Sequence, residues 1–488
     1  MPSPQYISTE DSMSPSLLEK RLSLKADFLV TGLNGIGTVV GIFIVSGYLA
    51  RTLGLDALGE YLLLRRIVTA LLGVLLLGMN VALPTFLARN EGRGYGDAAF
   101  SVFLLGTLPL IVLLTLVITE GFIVCDRAVP YMVYGVGFCA LTLAYALYRG
   151  HLNMIGANLL QFTAGTVVSL VAVVAAQSIG QLFIMIGFPM IILSFSAFLV
   201  RNGGVNPKKI TKDNSGEMLI FGVVRIPGFI FQFFLLAGVP LLSLSYLSLT
   251  DQAFLNAGIS LVRVFLVLVG PLGIILLPRI SHAVSGGIDD RLRSNLSLLV
   301  RATFYYGMLT GFVLSQLSSE ILIIWLGEVT DRAAGAATVL LISVPFFVLS
   351  AVLRSPIDAG AQRGYNSLIY GAGAIAMAGS FYLSIVTNND PFISAAVAFL
   401  IGQTVSGMGS FIVARKLFNL KVFELQFVAS AVVTLSVTAG VLMVLARMTS
   451  GTITVATSLF SLGVVTFLHF FFSREAWVKT LRNAVGVK

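Results

Sequence analysis

The chain has 488 residues, of which 57% are hydrophobic and only 11% charged, and its formal net charge is +9. Soluble domains carry roughly a quarter of charged residues, so this composition, with a mean hydropathy of +0.95, excludes a soluble globular protein. Little polar sequence separates the apolar runs, which leaves no room for a soluble catalytic domain and no basis for nucleic-acid binding. We therefore expect an integral membrane protein that is not an enzyme.

Cysteine and histidine spacing gives no sign of a metal site. Cys125 and Cys139 do not form a CxxC pair, and none of His151, His282 and His469 has an Asp, Glu or Cys at ligand spacing. Protein zinc sites require such clusters. The sequence thus predicts no metal ligand, no catalytic residue and no resident cofactor.

Long apolar stretches predict the membrane topology. About 20 residues at a rise of 1.5 Å cross a hydrocarbon core of about 30 Å, and fourteen stretches meet this length. They are 28–50, 58–87, 99–119, 129–148, 158–177, 181–200, 217–245, 253–278, 295–318, 334–353, 365–387, 391–414, 425–446 and 452–473. The fold class expected is an all-α polytopic membrane protein with about 14 transmembrane helices.

The distribution of basic residues predicts the orientation. With the N-terminus inside, 22 of the 31 Lys and Arg residues fall in cytoplasmic segments, and five lie within spans. The opposite side receives only Arg51, Arg127, Arg332 and Arg447. This bias does not change sign along the chain, as the positive-inside rule requires for a correct helix count. Both termini are therefore expected in the cytoplasm.

A weak internal repeat divides the chain. Residues 48–92 match the sequence 194 positions later at seven positions. The matched residues are Leu53 with Leu247, Leu55 with Leu249, Val68 with Val262, Leu72 with Leu266, Leu83-Pro84 with Leu277-Pro278, and Gly92 with Gly286. Repeats in an apolar chain are typical of transporters built from two related halves. Chance matches in a leucine-rich sequence are the alternative.

The repeat and the longest internal connection predict the domain organisation. Residues 1–27 form a polar cytoplasmic arm without the apolar core of a signal peptide, and 28–200 form an N-terminal lobe of six helices. Residues 201–216, rich in Gly, Pro and Lys, form a cytoplasmic linker. A second six-helix lobe covers 217–414, and 415–488 carry helices 13 and 14 and a cytoplasmic tail.

Five arginines fall inside predicted spans, where an ionised group costs from about 3 kcal/mol upward and usually has a function. They are Arg225, Arg263, Arg65 and Arg66, with Arg301 as a weaker candidate because it is shallow enough to snorkel to the interface. No Asp or Glu lies at a comparable depth, since Asp56, Glu60, Glu217 and Asp251 fall at helix ends. Pairing with backbone carbonyls or these acids is the alternative role for each arginine.

Guanidinium groups bind phosphate oxygens bidentately, so the arginines predict a cationic cavity for a cargo that carries phosphate, pyrophosphate or acidic sugars. The seventh span contains Arg225-Ile226-Pro227-Gly228 and the eighth contains Gly270-Pro271-Leu272-Gly273. Broken helices beside a binding site are typical of alternating access, although Pro and Gly are also generally common in membrane helices.

Residues 45–61 (VSGYLARTLGLDALGEY) and 77–84 (LGMNVALP) resemble the start of Wzx-type polysaccharide flippases of the MOP exporter superfamily. The resemblance implies two bundles of six helices, alternating access and an inner-membrane location. It also implies transport of undecaprenyl-pyrophosphate-linked oligosaccharide repeat units for O-antigen or exopolysaccharide assembly, in contact with membrane lipids. A polysaccharide polymerase and a chain-length regulator are the protein partners expected. Arg225 and Arg263, with Arg65 or Arg66, correspond to its cavity cations.

Three other classes stay open. A lipid II flippase shares the helix count and the basic cavity. A multidrug and toxin extrusion (MATE) exporter resembles the chain less, because such proteins usually have fewer helices and a buried acid for cationic drugs. A glycan polymerase or ligase would carry a large external loop, and none is present in the sequence. The coupling ion, proton or sodium, is not specified, and the lack of a deep acid leaves proton coupling without a site.

Overall fold

The computed structural model describes residues 24–89, 94–121, 127–206, 212–265, 290–360, 364–420, 422, 425–448, 452–472 and 478. Within these ranges the chain forms helices and turns and no β-strand, so the predicted all-α class is confirmed. Most of the N-terminal arm, Cys125 and the Gly270–Gly273 segment lie outside the described residues.

The helices follow one another with short connections. In chain order they are α1 (Leu24–Thr52), α2 (Leu55–Leu75), α3 (Met79–Arg89), α4 (Tyr95–Val102), α5 (Leu108–Gly121), α6 (Ala128–Gly150), α7 (Met154–Leu160), α8 (Val168–Ala175), α9 (Ile179–Asn202), α10 (Lys212–Val223), α11 (Ile226–Leu242), α12 (249–265), α13 (Asp290–Gln316), α14 (Ser318–Leu326), α15 (Asp331–Ile342), α16 (Val344–Gly360), α17 (Tyr365–Val386), α18 (Pro391–Phe418), α19 (Leu425–Met448) and α20 (Thr452–Phe472). Two π-helical segments, Phe103–Thr107 and Gln161–Val167, join α4 to α5 and α7 to α8.

These helices account for the predicted membrane spans. Among the described residues, 9 helices are long and apolar enough to cross a membrane, or up to 11 if each of two bent pairs is one span. The other three predicted spans overlap α12, which is described only to residue 265, and the apolar helices α19 and α20. The protein is therefore a multi-pass membrane protein.

Two spans are bent where the sequence interrupts them. The axes of α2 and α3 differ by 49° across a turn at Leu76–Gly78, in which Leu77 has φ 49° and Gly78 has φ +76°. Glycine adopts this left-handed conformation without the steric cost of a Cβ. The axes of α10 and α11 differ by 46°, and Pro227, which has no N–H to donate, lies in the first turn of α11. The seventh span is thus broken, as its sequence predicts.

The contacts between helices fall into two groups, which we call the first and second lobes, and a C-terminal pair. The first lobe is built around α6 and α9, and the second around the contacts of α18 with α16 and α17. Helices α19 and α20 pack against α13, where Phe427 is buried with Tyr305. Helix α10 packs against α3 and α4 of the first lobe, whereas α11 packs against α2 and α17. Among these contacts, α10 therefore packs on the first lobe, whereas α11 packs between the two lobes.

An ion pair braces the first lobe in a way that the sequence did not predict. Because α2 begins at Leu55, earlier than expected, Glu60 lies beyond its first turn and is only 3% exposed. Its Oε1 accepts hydrogen bonds from Arg127 Nη1 at 3.0 Å and from Tyr131 Oη at 2.8 Å. Glu60 is thus a buried, paired acid rather than a helix-end residue, which corrects its sequence assignment.

The second lobe has a comparable ion pair. Arg332, at the start of α15, lies 3.5 Å from Asp251 in the first turns of α12 and also binds Asp390 at the start of α18. In each lobe an arginine before or within the first turn of one helix therefore pairs with an acid near the start of a neighbouring helix. The resulting ionic contacts hold the helices of each lobe together at the same end of the bundle.

Candidate binding cavity between the two lobes

Helices α2 and α12 cross between the lobes, and their contacts follow the sequence repeat. Thr250 Oγ1 donates to Asp56 Oδ1 at 2.6 Å, and the two residues are separated by 194 positions. Arg66 Nη2 donates to Ser260 Oγ at 3.0 Å, again 194 positions away. Residues that lie on a twofold axis contact their own equivalents. These contacts therefore place a pseudo-twofold axis between α2 and α12.

A cavity of about 260 Å³ lies between α1, α2 and α12. Three of the predicted cationic residues line it, Arg65 and Arg66 from α2 and Arg263 from α12. The remaining lining side chains are hydroxyl-bearing or apolar: Val39, Ile42, Phe43, Leu62, Thr69, Ser260 and Val264. Thr69 and Arg263, which are equivalent in the repeat, both face this space. Among the described residues, the lining therefore carries three positive charges and no carboxylate.

Arg66 is engaged by the protein itself. It is 4% exposed, and its Nε donates to Asn256 Oδ1 at 2.5 Å. Its Nη2 donates to the Asn256 carbonyl oxygen at 2.8 Å, and its Nη1 to the Leu236 carbonyl oxygen at 3.4 Å. With the bond to Ser260, all of these acceptors belong to the second lobe. Arg66 thus joins the two lobes rather than presenting free N–H groups to a ligand.

Arg65 and Arg263 differ from Arg66 in having no protein acceptor. Both are half-buried and line the cavity, and within the part of the chain that the structure describes neither guanidinium makes a hydrogen bond or an ion pair. Removing a cation from water without a partner costs several kcal/mol, and the repulsion of like charges grows as the local dielectric falls. The two groups therefore form a site that favours an anion.

The structure places Arg225 and Arg301 outside this cavity lining. Arg225 lies at the break between α10 and α11, is exposed, and donates from Nη1 to the Phe221 carbonyl oxygen at 2.7 Å. Its guanidinium also stacks over the Phe221 ring at 3.6 Å. Arg301 is half-buried on α13. The cavity therefore brings together three of the five predicted arginines, and a binding role for Arg225 or Arg301 stays a prediction.

The lobes contact each other on both sides of the cavity. On the side of Asp56, a Cβ on Gly59 would lie 2.0 Å from the carbonyl oxygen of Leu249. On the opposite side, a Cβ on Gly78 would lie 2.4 Å from Gly222 Cα, and one on Gly222 would lie 2.2 Å from the Leu77 carbonyl oxygen. Only glycine permits these approaches. Among the described residues, the two lobes thus meet at two close backbone contacts, which we call the Asp56 side and the Gly78 side.

Gly222→Ala is expected to open the Gly78 side, because the added methyl group cannot share space with the Leu77 carbonyl. Labelling of a Thr69→Cys reporter in the cavity by a water-soluble maleimide added to that side should accelerate about tenfold. This corresponds to a loss of about 1.4 kcal/mol in the free energy that favours the contact between Gly78 and Gly222. Gly379→Ala on α17 is the matched control, because a Cβ at that position would have nothing within 4 Å of it. Equal labelling rates in both variants would contradict a gate at Gly222.

Sequence reasoning missed α14, which occupies part of a predicted external loop. Trp325 stacks on Phe43 with the ring centroids 4.2 Å apart, and its Nε1 donates to the Phe43 carbonyl oxygen at 2.9 Å. Arg51 Nη2 donates to the Ile324 carbonyl oxygen at 2.6 Å. Because Phe43 lines the cavity, α14 packs beside the cavity wall. The apolar run 321–326 was the available signal, but it is too short to indicate a span.

Comparison with known proteins identifies the fold. No family model matches the sequence, and no curated protein matches it. The solved structure of the lipid II flippase MurJ in an inward closed conformation matches with a TM-score of 0.68 and 11% identity, covering 92% of this chain and 98% of MurJ. An inward-facing multidrug resistance MATE family transporter of the MOP superfamily matches with a TM-score of 0.59 and 14% identity, covering 80% of this chain and 98% of the transporter.

A variant of the Vibrio cholerae MATE transporter VcmN also matches, with a TM-score of 0.57, 14% identity and coverage of 81% of this chain and 97% of VcmN. At these identities the similarity defines the fold alone. The chain has the fold of MOP-type flippases and transporters, which is the architecture implied by its resemblance to Wzx-type proteins. The matched structures are transporters rather than enzymes.

Proposed function

We propose that this protein flips polyprenyl-pyrophosphate-linked oligosaccharide repeat units from the cytoplasmic to the outer leaflet for O-antigen or exopolysaccharide assembly. The observation that carries the proposal is the pair of guanidinium groups, Arg65 and Arg263, that line the inter-lobe cavity and have no acceptor among the described residues. Planar guanidinium groups match the geometry of phosphate oxygens. A pyrophosphate group neutralises the charge that the cavity leaves uncompensated.

The size of the cavity fits one step of alternating access. At about 260 Å³ it lies near the lower limit of ligand pockets, about 300 Å³, so an oligosaccharide requires the lobes to separate. The pyrophosphate would enter when the Gly78 side opens, while the polyprenyl tail stays in lipid. Opening of the Asp56 side would then release the sugars outside.

The positive-inside bias supports an orientation with the Gly78 side and both termini in the cytoplasm of an inner membrane. Membrane lipids surround the exposed apolar side chains of the bundle, such as Leu105 and Val200. A polysaccharide polymerase and a chain-length regulator, acting on the outer leaflet, would receive the flipped repeat units.

A lipid II flippase is the second candidate, favoured by the extent of the match to MurJ, which covers 98% of that chain. Lipid II also joins a sugar to a polyprenyl pyrophosphate, so the arginine pair suits both cargoes. A MATE-type exporter of cationic drugs is less suited, because cations would be repelled by Arg65 and Arg263. Among the described residues that line the cavity, none is acidic.

The function can be tested in cells that lack the gene. Their lipids are extracted, and polyprenyl-pyrophosphate oligosaccharides on the cytoplasmic leaflet are identified by mass spectrometry. Accumulation of complete repeat units with loss of surface polysaccharide is the expected result. Accumulation of lipid II instead would favour the second candidate. New sensitivity to cationic drugs without any lipid-linked intermediate would contradict both and support an exporter.

A further inference from the structure

The two ends of the cavity between the lobes differ in chemistry. Helix α1 ends at the Asp56 side, and α2 and α12 begin there. At a rise of about 1.5 Å per residue, the Cα atoms of Phe43 and Leu62 lie about 11–14 Å from that side, whereas those of Arg65 and Arg263 lie about 15 Å and about 21 Å from it. The lining is therefore apolar towards the Asp56 side and carries its arginines further in. We call Phe43 and Leu62 the aromatic end of the cavity.

The ring of Phe43 is held in place by Trp325 of α14. The two rings stack with their centroids 4.2 Å apart and their planes at 27°. Trp325 is itself fixed, because it is 7% exposed and its Nε1 donates to the Phe43 carbonyl oxygen at 2.9 Å and to Ser46 Oγ at 3.2 Å. A Cβ on Gly47 would lie 2.7 Å from the Trp325 carbonyl oxygen. One face of the Phe43 ring is therefore covered, and only the opposite face is available to a group in the cavity.

A fixed aromatic face suits a sugar ring. The face of an aromatic ring carries the negative part of its quadrupole, and the C–H groups along one side of a pyranose ring carry a small positive charge. The two flat surfaces therefore attract each other and exclude water. Because Phe43 is already ordered by Trp325, less conformational entropy is lost when a ligand packs on it.

We propose that the aromatic end is a saccharide subsite, in which the first sugar of the cargo stacks on Phe43 while the pyrophosphate binds Arg65 and Arg263. The proposal rests on the proposed function, since it requires a cargo in which a sugar is bonded to pyrophosphate. Leu62 and Arg65 are less than one turn apart on α2, about 4.5 Å along the helix axis, so a sugar bonded directly to the phosphate reaches the aromatic end. The sugar then points towards the Asp56 side.

The polyprenyl tail is the other group bonded to the pyrophosphate. A long polyprenyl chain exceeds a cavity of about 260 Å³, whereas a single sugar ring is compact and flat. Phe43, Leu62 and Arg65 also belong to neighbouring helices of the first lobe, α1 and α2. The sugar and the phosphate next to it would therefore keep these contacts when the lobes separate.

The composition of the aromatic end predicts its selectivity. Neither of its two side chains is polar, and an apolar surface discriminates only weakly between ligands that differ by a hydroxyl group. We therefore expect the subsite to require a pyranose ring but to tolerate changes in the pattern of its hydroxyl groups.

The experiment measures binding of three diphosphate diesters to purified protein in detergent by calorimetry. The probes are dimethyl diphosphate and two analogues in which one methyl group is replaced by N-acetylglucosamine or by a farnesyl chain, so all three carry the same charge. The wild type is expected to bind the sugar analogue about tenfold more tightly than dimethyl diphosphate. Phe43→Leu should lose this gain and bind dimethyl diphosphate as the wild type does, whereas Phe43→Tyr should keep it.

Phe195→Leu is the matched control and should also keep the gain. Phe195 is partly buried and packs on the rings of Phe100 and Phe103, but it lies outside the cavity lining. Saturation-transfer NMR on the wild-type protein tests the contact without any variant. Transfer should be strongest to the C–H protons of the sugar ring and weak to the methyl ester.

Equal affinity of the wild type for the sugar analogue and for dimethyl diphosphate would overturn the subsite and leave the arginine site intact. An undiminished gain in Phe43→Leu would do the same. A larger gain for the farnesyl analogue that is lost in Phe43→Leu would assign the aromatic end to the tail instead of the sugar. If none of the three diphosphates binds, the arginine site fails, and the proposed function and the subsite fail with it.

Discussion

Arg263→Ala is expected to abolish transport of the lipid-linked oligosaccharide while the amount of protein in the membrane stays unchanged. The Arg263 guanidinium makes no hydrogen bond within the described part of the protein, so its removal breaks no internal contact. A charge-assisted hydrogen bond contributes about 1.5–3 kcal/mol. Losing a bidentate pair should therefore weaken binding of a pyrophosphate headgroup by roughly 100-fold.

Arg263→Lys should retain part of the activity, because the ammonium group keeps the charge but not the planar fork. Transport is measured by the recovery of surface polysaccharide in the deletion strain, and headgroup binding by calorimetry with a short-chain polyprenyl pyrophosphate. Arg301→Ala is the matched control, since Arg301 also lies within a span but outside the cavity lining, and its effect should be mild. Full activity of Arg263→Ala would remove this residue from the mechanism.

The neighbouring residues Arg65 and Arg66 are expected to give opposite results on stability. Arg66→Ala should lower the free energy of unfolding by about 3 kcal/mol or more, because it leaves the buried acceptors of Asn256 and Leu236 without their donor. Arg65→Ala should leave stability unchanged or raise it, since it removes a like charge from the cavity and breaks no hydrogen bond. Of these two variants, only Arg65→Ala should give a stably folded protein that binds the pyrophosphate headgroup more weakly.

The comparison is made on purified variants, as the midpoint of thermal unfolding in the same detergent and salt. Asn256→Leu gives an independent control, because it removes the partner of Arg66 and should destabilise the protein as Arg66→Ala does. The double variant Arg66→Ala with Asn256→Leu should lose less stability than the sum of the single changes, as coupled residues do. Equal destabilisation by Arg65→Ala and Arg66→Ala would show that the two arginines do not divide these roles.

The sequence predicted the existence of a cationic site more closely than it predicted which arginines bind protein acceptors. Hydropathy and rise per residue predicted that Arg65, Arg66 and Arg263 lie at membrane depth, and the repeat related Arg263 to Thr69. Both expectations depend only on local spacing along helices, and the structure brings all four residues to one cavity. Whether a guanidinium meets an acceptor depends on the helix opposite it. The contacts of Arg66 with Asn256 and Ser260 could not be predicted for that reason.

Glu60 and Trp325 show the same limit. Glu60 was assigned to a helix end because the predicted span begins only at residue 58, whereas α2 starts at Leu55 and buries the carboxylate against Arg127. Trp325 lies in a stretch too short to span a membrane, and only its stacking on Phe43 places it beside the cavity wall. Domain boundaries, orientation and the roles of Arg225 and Arg301 stay predictions.

By itself the sequence determined that this protein is a helical membrane protein with basic residues inside long apolar stretches, because apolar length and the position of charges are properties of the chain alone. The sequence also contained the repeat offset of 194 residues, which is the separation of the hydrogen-bonded residues Arg66 and Ser260. Only the tertiary structure decided which arginines remain available, where glycines allow the lobes to meet, and which aromatic rings stack beside the cavity. These features arise from distances between helices far apart in sequence, which no local pattern specifies.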